Sequence, residues 1–162
     1  MARSLPIRQD AVRRDAAISM KRILVLCTGN SCRSQMAEGY LRHFSQDKAI
    51  VKSAGIEAHG VNPIAIAVMK EDGIDISGHT SNFVDEYLSQ DFDFVITVCD
   101  NARERCPVFP ARTVKLHHNF PDPANATGSD EEVLETFRET RDLIKEYCRD
   151  FVSMYVTWRL LE

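Results

Sequence analysis

The sequence lacks an apolar run long enough to cross a lipid bilayer, and residues 1–20 hold no continuous apolar segment of signal-peptide length. Its five cysteines include no Cys-x-x-Cys pair and no paired Cys/His cluster, which argues against a structural zinc site. Their odd number and wide spacing do not fit the disulfide framework of a small secreted domain either. We therefore expect a cytoplasmic protein that keeps its thiols reduced and does not contact a membrane.

Positive charge is not in excess. The net charge of −4 argues against nucleic acid as a partner, because affinity for a phosphate backbone needs a basic face. An anionic substrate would have to be attracted by local groups. Hydrophobic residues make up 44% of the 162 positions, which is enough for one globular domain with its own core.

We expect this domain to span residues 21–157 and to be monomeric. Residues 1–20 are predicted to be a disordered extension, or to lie upstream of a true start at Met20. Residues 158–162 are predicted to be a C-terminal tail. No internal repeat or low-complexity linker divides the sequence.

Short apolar runs alternate with helical patterns along the domain. Residues 23–26 form a continuous apolar run, which predicts a strand buried on both faces. Asn62 and Pro63 predict a helix start, and Ser129 begins a capping box ahead of a long amphipathic helix. The alternation predicts an α/β domain with a parallel sheet covered by helices on both faces. Further strands are predicted at 50–54, 92–98 and 113–116, and further helices at 34–46 and 83–88.

Cys27 follows the first predicted strand, at the edge where open parallel sheets bind ligands. Gly29 permits a tight loop whose N–H groups point at an anion, and the helix that starts near Ser34 adds its positive end. Arg33 supplies a planar fork for two oxygens of a tetrahedral oxyanion. Since the same groups stabilise a thiolate, Cys27 is predicted to be a strong nucleophile, with Ser34 donating a hydrogen bond to its sulfur.

Cys99 and Cys106 form a second group of thiols, one at the end of a predicted strand and one beyond a polar stretch. The stretch between them is predicted to be a short helix or a loop. A disulfide between the two requires this segment to adjust, because the sulfurs must reach bonding geometry. From the spacing alone, a redox pair and two isolated thiols are equally open.

Asp122 lies in the segment Phe-Pro-Asp-Pro, a rigid loop that can aim a carboxyl group into a pocket. Asp before Pro is also a common turn, and the residues by themselves favour the turn over a catalytic acid.

The segment from Cys27 to Ser34, Cys-Thr-Gly-Asn-Ser-Cys-Arg-Ser, resembles the phosphate-binding loop of the low-molecular-weight tyrosine phosphatase superfamily. The continuation Gln-Met-Ala-Glu-Gly, with Ser-Ala-Gly at 53–55 and His-Gly-Val-Asn-Pro at 59–63, is similar to its thioredoxin-coupled arsenate reductase branch. Gln35 stands where a proline is common in phosphatases of the superfamily. The resemblance implies a four-stranded parallel sheet flanked by helices. It implies an oxyanion site made of Thr28, Gly29, Asn30, Ser31, Cys32 and Arg33.

The resemblance also implies a mechanism of arsenate detoxification. The Cys27 thiolate attacks arsenic, and Asp122 protonates the leaving oxygen. Cys99 then attacks the Cys27 sulfur and expels arsenite, and Cys106 takes over the disulfide as Cys99–Cys106, where thioredoxin could reduce it. Each step is thiolate attack on an electrophilic centre, so no cofactor is needed.

Two other functions remain open. A tyrosine phosphatase would need only Cys27, Arg33 and Asp122. An arsenite or metal sensor would use the thiols as soft ligands, but it would not need the anion loop or Asp122.

Some arsenate reductases of this branch bind potassium near the loop. The matching positions are Asn30, Glu38 and Ser53, whereas Asn82 stands at the position of the remaining acidic ligand. Because loss of a carboxylate weakens a site for a hard cation, no metal is expected.

Four side chains are predicted to serve other purposes. Cys32 is expected to pack beneath the loop, and Cys148 belongs to the apolar stripe of the last helix. His117 and His118 are neighbours on a predicted strand and therefore face opposite sides, so we assign neither a catalytic role.

Overall fold

Four short strands form one fully parallel sheet, seen in a computed structural model that describes residues 20–157. The strands are β1 (Lys21–Cys27), β2 (Ala49–Gly55), β3 (Phe94–Thr97) and β4 (Val114–His117). Their order in the sheet is β2-β1-β3-β4. Helices connect and flank them: α1 (Arg33–Ser45), α2 (Pro63–Glu71), α3 (Asp100–Glu104) and α4 (Asp130–Phe151). This arrangement confirms the predicted fold class.

The central strand β1 is buried because it pairs with a neighbour on each side and is covered on each face. Ile23, Leu24, Val25 and Leu26 are all 0% exposed, as expected of a strand that contacts helices above and below. The prediction of a doubly buried strand is therefore confirmed.

Side-chain caps fix the starts of two helices where the sequence predicts them. Asn62 Oδ1 accepts hydrogen bonds from the N–H groups of Ile64 (2.8 Å) and Ala65 (3.3 Å), with Pro63 in the first turn of α2. Ser129 Oγ accepts from the Glu132 N–H at 3.2 Å, so the predicted cap of α4 forms, and the Glu132 carboxylate accepts from the cap hydroxyl at 3.1 Å.

The apolar stripe of α4 packs against α1 and includes Cys148, which is 1% exposed. Its thiol donates to the Ala37 carbonyl at 3.7 Å, and burial raises its pKa well above the ordinary value. The predicted core role of Cys148 is confirmed.

Predictions from the sequence are less accurate for short helices and for the ends of strands. The helix predicted at 83–88 is a single 3₁₀ turn, Val84–Tyr87, and the strand predicted at 92–98 is paired only over Phe94–Thr97. Periodicity cannot set such ends, because pairing and packing decide them. The extension predicted at 1–20, except Met20, and the tail predicted at 158–162 lie outside the described residues. Within 20–157, no helix has the length and apolar character needed to cross a membrane.

Candidate active site

The loop between β1 and α1 is held from outside by the segment that follows β2. Four of its carbonyl groups accept hydrogen bonds from backbone N–H groups of that segment, which leaves the loop N–H groups free to point inward. Asn30 shows this inward direction, since its N–H donates to Cys27 Sγ at 3.1 Å. The outer hydrogen bonds are Ile56 to Cys27 (3.2 Å), Glu57 to Thr28 (2.7 Å), His59 to Gly29 (2.9 Å) and Asn62 to Ser31 (3.1 Å).

Close packing explains two glycines around the loop. A Cβ at Gly55 would lie 2.1 Å from the Glu57 carbonyl oxygen and 2.8 Å from the Asn30 nitrogen, both of them backbone atoms that cannot give way. A Cβ at Gly29 would lie 2.5 Å from Nδ1 of His59, whose ring covers the loop. At Gly55 the loop and the segment after β2 therefore touch at a distance that only glycine allows, whereas at Gly29 the His59 side chain would have to move.

Cys27 ends β1 and is 3% exposed, with its sulfur near the start of α1. Its Sγ lies 2.8 Å from Ser34 Oγ, in addition to the Asn30 N–H. The Asn30 N–H and the Ser34 hydroxyl therefore converge on the Cys27 sulfur. The structure thus brings Cys27 and Ser34 together as the sequence predicts.

The buried side chain of Asn30 sets the direction of the Ser34 hydrogen bond. Asn30 Nδ2 donates to Ser34 Oγ (2.8 Å) and Ser53 Oγ (3.0 Å), and Asn30 Oδ1 accepts from the N–H of Asn82 (2.8 Å). Because the Ser34 oxygen already accepts from Asn30, its own hydrogen is available to Cys27 Sγ. Asn30 has φ 48°, a left-handed conformation that asparagine tolerates better than most residues.

Arg33 and Asp122 face each other across the mouth of the loop. Arg33 Nη1 donates to the carbonyl of Phe120 at 3.0 Å, and Arg33 Nη2 lies 3.5 Å from Asp122 Oδ2. The other oxygen of Asp122 accepts from the Ala124 N–H at 3.0 Å. Asp122 is therefore both the turn residue that the local sequence favours and a carboxyl group next to the anion-binding arginine.

Cys99 lies beside the loop at the carboxyl end of the neighbouring strand. Its Sγ is 3.3 Å from Thr28 Oγ1 and accepts from the Ala102 N–H at 3.4 Å, as the cap of α3. Asn101 Nδ2 also donates to Thr28 Oγ1, at 2.9 Å. Cys99 is thus in contact with the residue next to Cys27.

Cys106 lies at the other end of α3 and does not adjoin the loop. It is half-buried in a surface pocket lined also by Arg103, Lys115 and Leu116. Burial raises the pKa of the Cys106 thiol, and the nearby Lys115 charge partly opposes this. All five cysteines are free thiols, so this is a fully reduced state.

Cys32 lies within the loop but differs from Cys27 in its surroundings. It is 4% exposed, and burial raises the pKa of its thiol to about 11. A thiol held neutral in this way is suited to packing rather than to nucleophilic attack.

A polar cluster behind the loop was missed at the level of sequence. Gln35 Nε2 donates to the carbonyls of Asn30 and Thr80 (both 3.0 Å), and Gln35 Oε1 lies 3.1 Å from His79 Nδ1. The same His79 nitrogen lies 2.8 Å from Glu38 Oε2. No local pattern marks His79, because its partners belong to α1, far away in the sequence.

The positions that match a potassium site do not offer a suitable set of oxygen ligands. Asn30 turns an NH₂ group to Ser53 and uses its oxygen for Asn82, while Asn82 Nδ2 donates to Glu86 Oε2 at 2.7 Å. The pocket beside them is also lined by the cationic side chains of Arg42 and Lys52. A hard cation needs free oxygens rather than neighbouring positive charge, so these residues do not fit potassium. Within residues 20–157, no cluster of three His, Cys, Asp or Glu side chains could hold a metal ion.

Comparison with known sequences supports the resemblance. The family model for low molecular weight phosphotyrosine protein phosphatase matches residues 22–157. An arsenate reductase of Halalkalibacterium halodurans is 50% identical over 136 residues, which is 84% of this chain and 98% of the relative. One of Bacillus subtilis is 47% identical over 133 residues, or 82% of this chain and 96% of the relative.

Solved structures agree in fold. An arsenate reductase in the oxidized state superposes with a TM-score of 0.73 at 34% identity, over 83% of this chain and 98% of that chain. Vibrio vulnificus Wzb in complex with benzylphosphonate superposes with a TM-score of 0.70 at 26% identity, over 83% and 99%. These matches confirm the resemblance predicted from the loop and its flanking motifs. The chain belongs to the low molecular weight phosphotyrosine protein phosphatase family.

Proposed function

We propose that this protein reduces arsenate to arsenite by a relay of Cys27, Cys99 and Cys106, with thioredoxin as the reductant. The observation that carries the proposal is the Cys99 thiol, which lies 3.3 Å from Thr28 Oγ1 and so beside the nucleophile. Relatives at 50% and 47% identity that are named arsenate reductase support the same substrate. We further propose that the protein is a cytoplasmic monomer that serves arsenate detoxification.

In the first step, arsenate enters the loop, where backbone N–H groups and Arg33 bind its oxygens. The Cys27 thiolate forms a bond to arsenic, and an arsenic–oxygen bond breaks. Asp122 gives a proton to the leaving oxygen, which departs as water. The proximity of Asp122 to Arg33 supports this role, because Arg33 would hold the substrate within reach of the carboxyl group.

In the second step, Cys99 attacks the sulfur of Cys27. A sulfur–sulfur bond forms, the sulfur–arsenic bond breaks, and its electron pair leaves with arsenic, which is reduced to arsenite. The two thiols are thereby oxidised to the Cys27–Cys99 disulfide, which accounts for the two electrons that arsenic gains. The contact of Cys99 with Thr28 supports this step, since little movement is needed for attack.

In the third step, Cys106 attacks Cys99 and releases the Cys27 thiolate, so that the disulfide becomes Cys99–Cys106. This bond lies next to a surface pocket, where a dithiol reductant can exchange with it. Thioredoxin would reduce this disulfide, become oxidised itself, and leave Cys99 and Cys106 as thiols. The half-exposed position of Cys106 supports this end of the relay.

The test is the number of arsenite molecules formed per enzyme molecule. The purified protein is supplied with arsenate, thioredoxin, thioredoxin reductase and NADPH, and many arsenite molecules per enzyme are expected. Replacing thioredoxin with glutathione and glutaredoxin should leave the rate near background. Absence of arsenite with every reductant would overturn the proposal.

A phosphatase function is the second candidate, favoured by the juxtaposition of Cys27, Arg33 and Asp122 and by the likeness to Wzb bound to benzylphosphonate. Hydrolysis of a phosphomonoester would use the first step and leave Cys99 and Cys106 idle. Turnover of aryl phosphate by Cys99→Ser at the full rate, with no arsenite from the wild type, would favour this function.

A further inference from the structure

A chain of three hydrogen-bonded side chains joins the end of β4 to the start of α3. His117 Nδ1 lies 2.7 Å from Thr97 Oγ1, and His117 Nε2 lies 2.8 Å from Asp100 Oδ1. A carboxylate only accepts, so His117 Nε2 donates to Asp100, while the Thr97 hydroxyl lies within hydrogen-bond distance of both His117 Nδ1 and the Leu116 carbonyl (3.4 Å). Two different elements therefore hold the imidazole in position. The chemistry proposed above does not use any of the three residues.

This chain holds α3 at the end that carries Cys99. The Asp100 N–H also donates to Asn119 Oδ1 at 3.2 Å, and Asn101 binds Thr28 of the anion loop. At the Cys106 end, the side-chain hydrogen bond is a long one of 3.5 Å, from exposed Lys115 Nζ to the Pro107 carbonyl. The helix is therefore fastened firmly where Cys99 lies and weakly where Cys106 lies.

A disulfide between Cys99 and Cys106 is incompatible with an intact α3. Residues 100–104 are helical, and an ideal helix drawn over the whole spacing from Cys99 to Cys106 would separate its ends by about 10 Å. A disulfide needs Cα atoms about 4 to 7 Å apart. All five residues of α3 lie between the two cysteines, so this short helix has no turn outside the strained segment and must leave its helical path when the bond forms. The contact of Asp100 with His117 then belongs to the dithiol state alone.

We infer that His117 is a positioning residue that acts through Asp100 to hold α3 in its helical, dithiol form, and so makes the Cys99–Cys106 disulfide easier to reduce. An interaction present in only one of two states favours that state by its own free energy. Removing the contact shifts the equilibrium toward the disulfide and leaves the anion loop as it is. The inference rests on the proposed relay for its purpose in turnover, but the equilibrium exists without arsenate.

The test measures this equilibrium in a glutathione redox buffer. A Cys27→Ser background removes the competing Cys27–Cys99 bond. Two protein thiols and one oxidised glutathione exchange to one protein disulfide and two reduced glutathione molecules, so electrons and protons balance. Peptide mapping identifies the bond that forms. His117→Ala and Asp100→Ala should each raise the equilibrium constant for the Cys99–Cys106 disulfide about three- to tenfold, as expected for a half-exposed hydrogen-bonded pair. A tenfold change corresponds to about 30 mV.

Matched variants separate this effect from general loosening of the helix. Asp100→Asn keeps an acceptor oxygen for His117 but loses the charge near Arg103 (3.8 Å) and the first turn of α3, so it should shift the equilibrium less than Asp100→Ala does. His117→Gln places an amide nitrogen where Nε2 stood and should recover part of the shift. Glu104→Ala removes an exposed carboxylate from the same helix and should have no effect. The negative charge of Asp100 also stabilises the first turn of α3, so the double variant His117→Ala with Asp100→Ala is needed. It should shift the equilibrium by less than the two single variants added together.

An unchanged equilibrium constant in both alanine variants would overturn the inference, and so would an equal shift in Glu104→Ala. Failure of Cys99–Cys106 to oxidise at all would overturn it too. If His117→Ala does not fold, the exposed Asp100→Ala carries the decision. Arsenite assays are read separately. A wild type that makes no arsenite refutes the proposed function and not the equilibrium, and unshifted variants in an active enzyme refute only the role of His117.

Discussion

The anion loop and the α3 segment occupy equivalent places, each beyond the carboxyl end of a central strand and each beginning with a cysteine. They are built in opposite ways. The loop carbonyls are bonded to a separate segment, and the Asn30 side chain inside it is 0% exposed and fully paired. α3 is five residues long and mostly exposed, and it is fastened chiefly at one end.

The difference matches what the proposed relay would require of each region. A loop that binds an oxyanion works best when its donors already point at the charge, because no reorganisation is then needed during reaction. A segment that must bring Cys106 to Cys99 has to leave its resting conformation, and low local stability makes this possible. The strand ends place the two cysteines side by side, and the following segments give one a rigid setting and the other a movable one.

The largest expected effect comes from removing the nucleophile of the rigid region. Cys27→Ser should abolish both arsenate reduction and any aryl phosphate hydrolysis, because both begin with the same thiolate. Arsenite formation and nitrophenol release measure the two activities. Cys148→Ala is the matched cysteine control, and it should lose stability but keep activity per folded molecule. Arsenite from Cys27→Ser at a near-normal rate would contradict the mechanism.

Removing the thiol at one end or the other of α3 should separate arsenite release from the regeneration of the Cys27 thiolate. Cys106→Ser should release one arsenite per enzyme molecule and stop as a Cys27–Cys99 disulfide. Cys99→Ser should stop earlier and release none. Arsenite per enzyme and peptide mapping of the trapped disulfide measure this. Multiple turnovers by Cys106→Ser at the wild-type rate would remove that residue from the relay.

Replacing Asp122 should separate oxyanion binding by the loop from proton donation to the leaving group. Asp122→Asn keeps the shape beside Arg33 but cannot donate a proton, so aryl phosphate cleavage should fall about 10²-fold or more. Binding of an oxyanion inhibitor should change far less. Normal hydrolysis of a substrate with a poor leaving group would place the acid elsewhere.

The same truncation in both regions compares their stability directly. Asn30→Ala leaves two hydroxyl groups and a backbone N–H without their buried partner and puts alanine at a positive φ, so it should cost about 3 kcal/mol. Asn101→Ala removes one exposed hydrogen bond and should cost about 0.5 kcal/mol. Denaturant unfolding of the two variants measures the difference. Equal costs would mean that the loop is not the more rigid region.

Much of the fold follows from signals that act over a few residues. The apolar run of β1, the Asn62 cap and the Ser129 cap each depend on neighbours within one turn or strand, so the sequence predicts them correctly. The turn at Asp122 is equally local. The resemblance implied a further role for Asp122 as the acid, but no local pattern indicated its contact with Arg33, because that contact depends on how the loop after β4 lies against α1.

The sequence by itself determined the parallel α/β architecture, the helix starts and the identity of the loop, since periodicity, capping and the Cys27–Ser34 motif are all short-range patterns. The tertiary structure alone decided which distant side chains meet. Gln35 finds His79, and His117 finds Thr97 and Asp100. The grouping of Asn30 with Ser53 and Asn82 is the exception, because the resemblance had already placed these positions together. The partners of Gln35 and His117 lie on other strands and loops, and a polar residue gives no sign in its own neighbourhood of which buried group it will satisfy. Burial makes such pairing necessary, and the order of strands in the sheet chooses the partners.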